Sequence, residues 1–333
     1  MLKDDQKLHP DIFSDEPTVD YSRNGYGDGL VEAARENENI VAVCADLAES
    51  TRTHFFKEEF PDRYVEVGVA EQNLATVGSG LAAMGKIPFI SSYAAFSPGR
   101  NNEQIRTTIS LNNVSVKILG AHAGVSVGPD GATHQQLEDI ALMRAQPNMK
   151  VVVPADYQEA RKTVHIAARE DGPVYFRVAR EKTPVITTED SPFEFGRANW
   201  LWEGENPEVA LIACGPLVHN ALVAAKRLEG EGINTVVINN HTIKPMDEQS
   251  VIEAAKRCGA VVTIEEHQVS AGMGSAVAEI LSQNTPTPQE FIGVHDQFGQ
   301  SGTPEELIEK YGMGVDSIIE AVKKVKGRKV HPS

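Results

Sequence analysis

Short runs of β-branched and other apolar residues alternate with amphipathic stretches twice along this chain, and few folds accommodate that alternation. In the first series, residues 40–44, 87–92, 114–119, 149–153 and 174–178 read as strands buried on both faces. Helical patterns such as 137–145 and 157–169 separate them. A stretch carrying prolines, acids and both tryptophans follows, with no clear period. The alternation then restarts, with strands at 209–213, 235–238, 261–264 and 291–294 and helices at 217–228, from Asp247 onward, and at 275–281. This pattern predicts an α/β chain of two doubly wound domains with mostly parallel sheets. The expected division is an arm over 1–20, a first domain over 21–186, a linker over 187–207, a smaller second domain over 208–326 and a tail over 327–333.

At 333 residues the chain is long enough for two such domains. Its net charge of −16, with no basic run beyond residues 323–329, argues against nucleic acid as a partner. An acidic chain that handles anions must gather its few cations in one place, so individual arginines and histidines become informative. No apolar run reaches spanning length and the amino terminus is polar, so neither a signal peptide nor a membrane anchor is expected. Cys44, Cys214 and Cys258 are odd in number and sit in or beside apolar segments. They read as reduced core thiols of a cytoplasmic protein, with no metal site.

Two stretches could carry chemistry. In the first, a β-branched run ends at Gly68 and a lone carboxylate, Glu71, opens a helix. Gly78, Gly80 and Ala82 on that helix would let another backbone or a flat ligand approach. Interaction with the helix dipole is the ordinary alternative role for Glu71. In the second, residues 120–135 place His122, Asp130 and His134 among four glycines at the carboxyl end of a strand. Crevices of open parallel sheets put their ligands there. A plain glycine-rich turn is the alternative, and metal ligation would need further donors nearby. Arg180 follows the strand at 174–178 and so falls on the same sheet edge, whereas Arg23, Arg100, Arg106 and Arg144 read as surface or ion-pair residues. Tyr93 and Phe96 follow the strand at 87–92 and read as core aromatics.

Together these segments resemble a known family. Gly68-Val-Ala-Glu71-Gln-Asn, residues 80–85, the 122–135 loop, Arg144-Ala-Gln-Pro-Asn148 and Val153-Pro-Ala-Asp156 are similar, in this order, to the pyrimidine-binding domain of transketolases. Glu265-Glu-His267 and Gly272-Met-Gly274 resemble that family's C-terminal domain; the latter lacks a complete dinucleotide fingerprint. Nothing in the chain resembles the family's diphosphate-binding half. Gly27-Asp28-Gly29 looks like the opening of its Mg-diphosphate motif but lacks the preceding strand and the later Asn, and reads as helix capping. The chain therefore resembles the C-terminal subunit of a split, two-gene transketolase.

That resemblance implies thiamine diphosphate shared with an N-terminal partner subunit, which would also hold the Mg²⁺ or Ca²⁺, in an assembly of two copies of each (α2β2). Glu71 would hydrogen-bond N1′ of the aminopyrimidine, which requires a carboxyl able to share a proton inside a dry crevice. Tyr93 and Phe96 would stack on or edge the pyrimidine, and Asp46 would line the cofactor pocket; Gly99 stands where the family often has a tyrosine. His122 and His134 would contact sugar oxygens during catalysis and Asp130 a substrate hydroxyl. Arg23, Ser50 and Arg180 would bind the sugar phosphate, the arginines through charge-assisted contacts. The implied reaction moves a two-carbon ketol unit from a ketose phosphate to an aldose phosphate, with pentose phosphates as the default. The β subunit of a 2-oxo acid dehydrogenase, a deoxyxylulose-phosphate synthase and a fold-retaining regulatory subunit are the competing readings. The His122–His134 loop argues against the first of these.

Overall fold

The apolar runs become strands because helices or loops cover them on both sides: in β2 (Ile40–Cys44), β5 (Lys117–Ala121), β7 (Val174–Val178) and β10 (Val209–Ala213) every residue is buried. The structure, a computed structural model, describes residues 1–329; the last four residues of the expected tail lie outside the described residues. The remaining strands are β1 (Val19–Tyr21), β3 (Tyr64–Glu66), β4 (Ile87–Tyr93), β6 (Lys150–Val152), β8 (Lys182–Pro184), β9 (Asn199–Glu203), β11 (Thr235–Asn239), β12 (Thr242–Lys244), β13 (Val261–Gln268) and β14 (Gln289–Val294). One sheet runs β12-β6-β7-β5-β4-β2-β3, parallel except for β12 at its edge. A second runs β14-β13-β10-β11-β9, parallel except for β9, and β1 with β8 forms a small antiparallel ribbon. The α/β architecture with mostly parallel sheets is the one the alternation implies. No helix among the described residues is long and apolar enough to cross a membrane.

Three segments differ from their reading in sequence. Residues 199–203, within the stretch read as linker, are strand β9, paired antiparallel with β11 across a register shift between Val237 and Ile238. That irregularity breaks the alternation that would have marked a strand. The first twenty residues lie on their own chain: Leu2 bridges Trp202, the Met1 ammonium donates to Glu203 O at 2.8 Å, and Ile12 is buried in the core of the second sheet. Gly27-Asp28-Gly29 caps nothing. It sits inside the helix Ser22–Glu36, where Gly25, Gly27 and Gly29 let neighbouring backbone come close. A Cβ on Gly25 would lie 2.1 Å from Tyr157 O on the crossing helix Tyr157–Arg169, and Asp28 accepts from Tyr157 Oη at 2.8 Å.

The Gly272–Gly274 turn is occupied by the protein's own carboxylate. Buried Glu265 accepts from Met273 N at 2.7 Å and Gly274 N at 2.8 Å, filling the N-terminus of the helix Met273–Asn284.

Two glycines should respond oppositely to the same substitution. Gly25→Ala must open the helix crossing and lower the stability of the isolated chain by about 1–3 kcal/mol. Gly80 meets nothing within 4 Å, so Gly80→Ala should raise stability by about 0.5–1 kcal/mol through helix propensity. Urea midpoints measure both, and a neutral Gly25→Ala would refute the close crossing.

Candidate functional site

Parallel pairing in register brings Tyr93, Ala121 and Val178 side by side at the ends of β4, β5 and β7. The loops that leave these ends carry Phe96, His122 and Arg180. Beyond them, β2 ends just before Asp46 and β3 ends at Glu66, five residues before Glu71. Most of the predicted residues thus emerge from one sheet edge, because parallel strands all point their carboxyl ends the same way; Arg23 and Ser50 stand instead on the helices Ser22–Glu36 and Ala48–Thr51.

His122 follows β5 directly, with φ at 56°, a conformation uncommon for non-glycine residues and tolerated better by His than by most. Its ring is buried and stacks on Tyr93 with centroids 3.9 Å apart, while Nδ1 is buried without a partner among the described residues. Burial, with the positive charges of Arg23 and Arg180 next in weight, pushes the imidazole down to about 3. His122 is therefore neutral at pH 7. His134 meets the edge of Phe96 at 5.4 Å and that of Tyr93 at 6.2 Å, and its Nδ1 is 2.9 Å from Thr133 Oγ1.

Glu71 is the first residue of the helix Glu71–Ala83, yet its carboxylate accepts no helix N–H. Only 2% of the side chain is exposed, and Oε2 accepts from Arg100 Nη1 at 2.7 Å. Arg100 is 50% exposed, and its guanidinium lies over the Phe96 ring at 4.7 Å. Asn101 Nδ2 donates to Glu71 O at 2.9 Å and fixes the turn. Val69, Glu71, Asn73, Thr76, Arg100 and Gln104 line a cavity of about 540 Å³. An unbroken series of contacts therefore joins Glu71, Arg100, Phe96, Tyr93 and both histidines.

The cationic side is assembled differently. Arg23 Nη1 donates to Ser50 O at 2.9 Å, so Ser50 contributes its carbonyl, while Arg23 Nε is buried without an acceptor among the described residues. Arg180 donates to Val127 O at 2.8 Å and pairs with Glu181 at 3.0 Å and exposed Asp130 at 3.9 Å. Asp46 is exposed, with φ at 58°. Its backbone N–H donates to Glu66 Oε1 at 2.8 Å, as does that of Gly68, so Glu66 ties this loop to the approach of Glu71. The Asp46 carboxylate meets none of the other predicted residues.

Sequence reasoning read Arg100 only as a surface or ion-pair residue, without its partner Glu71, and passed over Asn101 and Glu66. Arg100 stands four residues after Phe96 in one tight turn; the spacing is visible in the sequence, the direction of the side chain is not.

Folding keeps His122 neutral where the unfolded chain protonates near pH 6.5. Between pH 6.5 and about 3 the unfolded state therefore binds the extra proton, and stability falls as pH falls. Urea unfolding at pH 7 and pH 5 should show the parent chain losing roughly 2 kcal/mol more than His122→Gln over that interval. Parallel losses would exclude a buried neutral imidazole.

Residues 21–185 match the pyrimidine binding domain of transketolase and residues 196–318 its C-terminal domain. The 6-deoxy-6-sulfo-D-fructose transketolase subunit SqwH of Clostridium sp. (strain MSTE9) is 40% identical over 92% of this chain and 95% of its own length. One of the subunits of the apulose-4-phosphate transketolase of Phocaeicola vulgatus is 37% identical over 91% of this chain and 97% of its own. A solved split gene transketolase, an inactive β4 tetramer, superposes with a TM-score of 0.87 at 45% identity, covering 93% of this chain and 99% of that one. With both domains matched in order and relatives of near-equal length well above 30% identity, the chain belongs to the transketolase family.

Proposed function

We propose that this chain is the C-terminal subunit of a split, thiamine-diphosphate-dependent transketolase, moving a two-carbon ketol unit from a ketose phosphate to an aldose phosphate together with a separate N-terminal subunit in the cytoplasm. The observation that carries this reading is Glu71, a buried carboxylate at the lip of an open cavity, with one oxygen held by Arg100. Its Oε1 accepts no hydrogen bond from the described residues, and the Phe96 ring lies one contact away, beneath the Arg100 guanidinium. Those features fit the aminopyrimidine end of thiamine diphosphate. The diphosphate end finds no such fit. Gly27-Asp28-Gly29 lies inside a helix, and no cluster of three metal-binding side chains exists among the described residues. In this reading the partner subunit holds the metal and the diphosphate.

Exposed apolar surface supports a partner too. Val69, Met84 and Leu111 are 71%, 83% and 74% exposed, and Gly80 on the Glu71 helix has open space where a side chain would stand. The unpaired, buried thiols Cys44, Cys214 and Cys258 suit a reducing compartment.

When bound, thiamine diphosphate supplies the electron sink for breaking and forming the carbon–carbon bond. This chain's residues do the rest. Glu71 shares a proton at N1′, with Arg100 and Asn101 holding it in place. Neutral His122 and adjacent His134 hydrogen-bond sugar oxygens, and Asp130 contacts a hydroxyl. Arg23 and Arg180 hold the anionic tail, and the closed assembly excludes water.

The test is reconstitution. Gel filtration should show two copies of each subunit, and ketol transfer with thiamine diphosphate and Mg²⁺ should require both. Glu71→Ala should lower kcat of the pair by about a hundredfold or more. Transfer by this chain alone, or an unchanged rate in Glu71→Ala, contradicts the proposal.

A further inference from the structure

Arg52 joins the cationic side of the site by a route that no sequence pattern announces. It stands between the helices Ala48–Thr51 and Thr53–Glu59 with φ at 67°, in the left-handed region that side chains rarely adopt. Gly27 makes room for it: a Cβ there would lie 2.8 Å from Arg52 Cβ. Arg52 Nε donates to Asn24 Oδ1 at 2.8 Å and Nη1 to Glu49 O at 2.9 Å. Arg23, beside Asn24 in sequence, donates to the next carbonyl, Ser50 O. Both guanidinium groups lie over the one ring of Tyr21, at 4.8 Å for Arg23 and 5.7 Å for Arg52.

These two cations are held by neutral acceptors. Among the described residues neither makes an ion pair, whereas Arg180 pairs with both Glu181 and Asp130. They are close enough that, after burial, the charge of Arg52 weighs most in making Arg23 less basic. Lys182 Nζ lies over the same Tyr21 ring at 5.6 Å and likewise makes no ion pair among the described residues; such a cluster of positive charge, in a chain of net charge −16, forms a site for more than one negative charge.

We propose that Arg52 is a specificity-determining residue: with Arg23 it selects ketose donors whose tail is a dianion, a phosphate ester, over donors with a monoanionic tail such as a sulfonate. A phosphate ester carries close to two charges at pH 7, a sulfonate one. A second guanidinium gains about twice as much Coulomb energy from a dianion as from a monoanion. This rests on the reading of the sheet edge as the donor site.

The experiment uses the reconstituted pair and two donor ketoses that differ only in a phosphate or sulfonate tail. The wild-type pair should prefer the phosphate ester by about tenfold or more in kcat/KM. Arg52→Gln should erase roughly tenfold of that preference, mainly through KM for the phosphate ester, and Arg52→Lys should restore part of it. A wild-type pair that takes both tails equally, or an Arg52→Gln loss equal for both, overturns the proposal. If the wild-type pair transfers no ketol unit from any donor, the proposed function fails, and the isolated chain decides this inference. At fixed ionic strength, inorganic phosphate should then raise its melting temperature more than methanesulfonate does, with the difference shrinking in Arg52→Gln. Equal shifts overturn it.

Discussion

The register between β5 and β7 is the constraint on which the sheet edge depends. Gly120 on β5 has no side chain, and the ring of Tyr175 fills that space; a Cβ there would lie 2.2 Å from Tyr175 Oη. Tyr175 Oη donates to Asp139 at 2.6 Å, Arg177 pairs with Asp139 at 3.1 Å, and Arg177 Nη1 donates to Glu266 O on β13 at 3.1 Å. The register that sets Ala121, just before His122, beside Val178 is thereby fastened to the second sheet. A buried pair of this kind adds little net stability over an apolar substitute, because desolvation offsets its Coulomb gain. Its contribution is positional: Asp139 and Arg177 satisfy each other in only one strand alignment.

The site has two chemical halves, joined by the stack of Tyr93 on His122. On one side lie Glu71, Arg100 and Phe96, where a single carboxylate is almost wholly removed from water. On the other lie the arginines, whose field, added to burial, keeps His122 uncharged. A neutral imidazole beside a cationic pocket can hydrogen-bond a sugar oxygen without competing for the anionic tail. Charged groups thus stand at the two ends of the site, while the stack of Tyr93 on His122 between them stays uncharged.

What the sequence shows best is whatever a buried environment makes uniform. The apolar runs at 40–44, 174–178 and 209–213 coincide with β2, β7 and β10, and the amphipathic stretch 157–169 coincides with its helix. Polar residues inside strands blur the edges. The run at 114–119 starts three residues before β5 because Lys117 opens that strand fully buried, its ammonium satisfied by Ser115 Oγ, Glu170 O and Gly172 O. Most of the candidate site residues could be named from motif order because loops at strand ends retain their place along the chain. Arg100 and Arg52 could not be distinguished from surface cations, since the direction of a loop side chain is set by tertiary neighbours: Phe96 and Glu71 for one, Gly27 and Asn24 for the other. Gly27-Asp28-Gly29 is the converse, a motif-like triplet whose glycines serve a helix crossing.

Several costs of this fold in isolation fall on the helix Glu71–Ala83 and its ends. Gly80 weakens that helix with no contact to a side chain it could carry, and Val69 before it and Met84 after it place apolar surface in water. Glu71 keeps a nearly buried carboxylate whose ion pair depends on a half-exposed arginine. Each could be relieved locally by an ordinary substitution, so their coincidence along one helix points to a contact made only on assembly. A sequence is locally inconsistent where function demands it; here the inconsistency outlines the surface through which the proposed partner would complete the site.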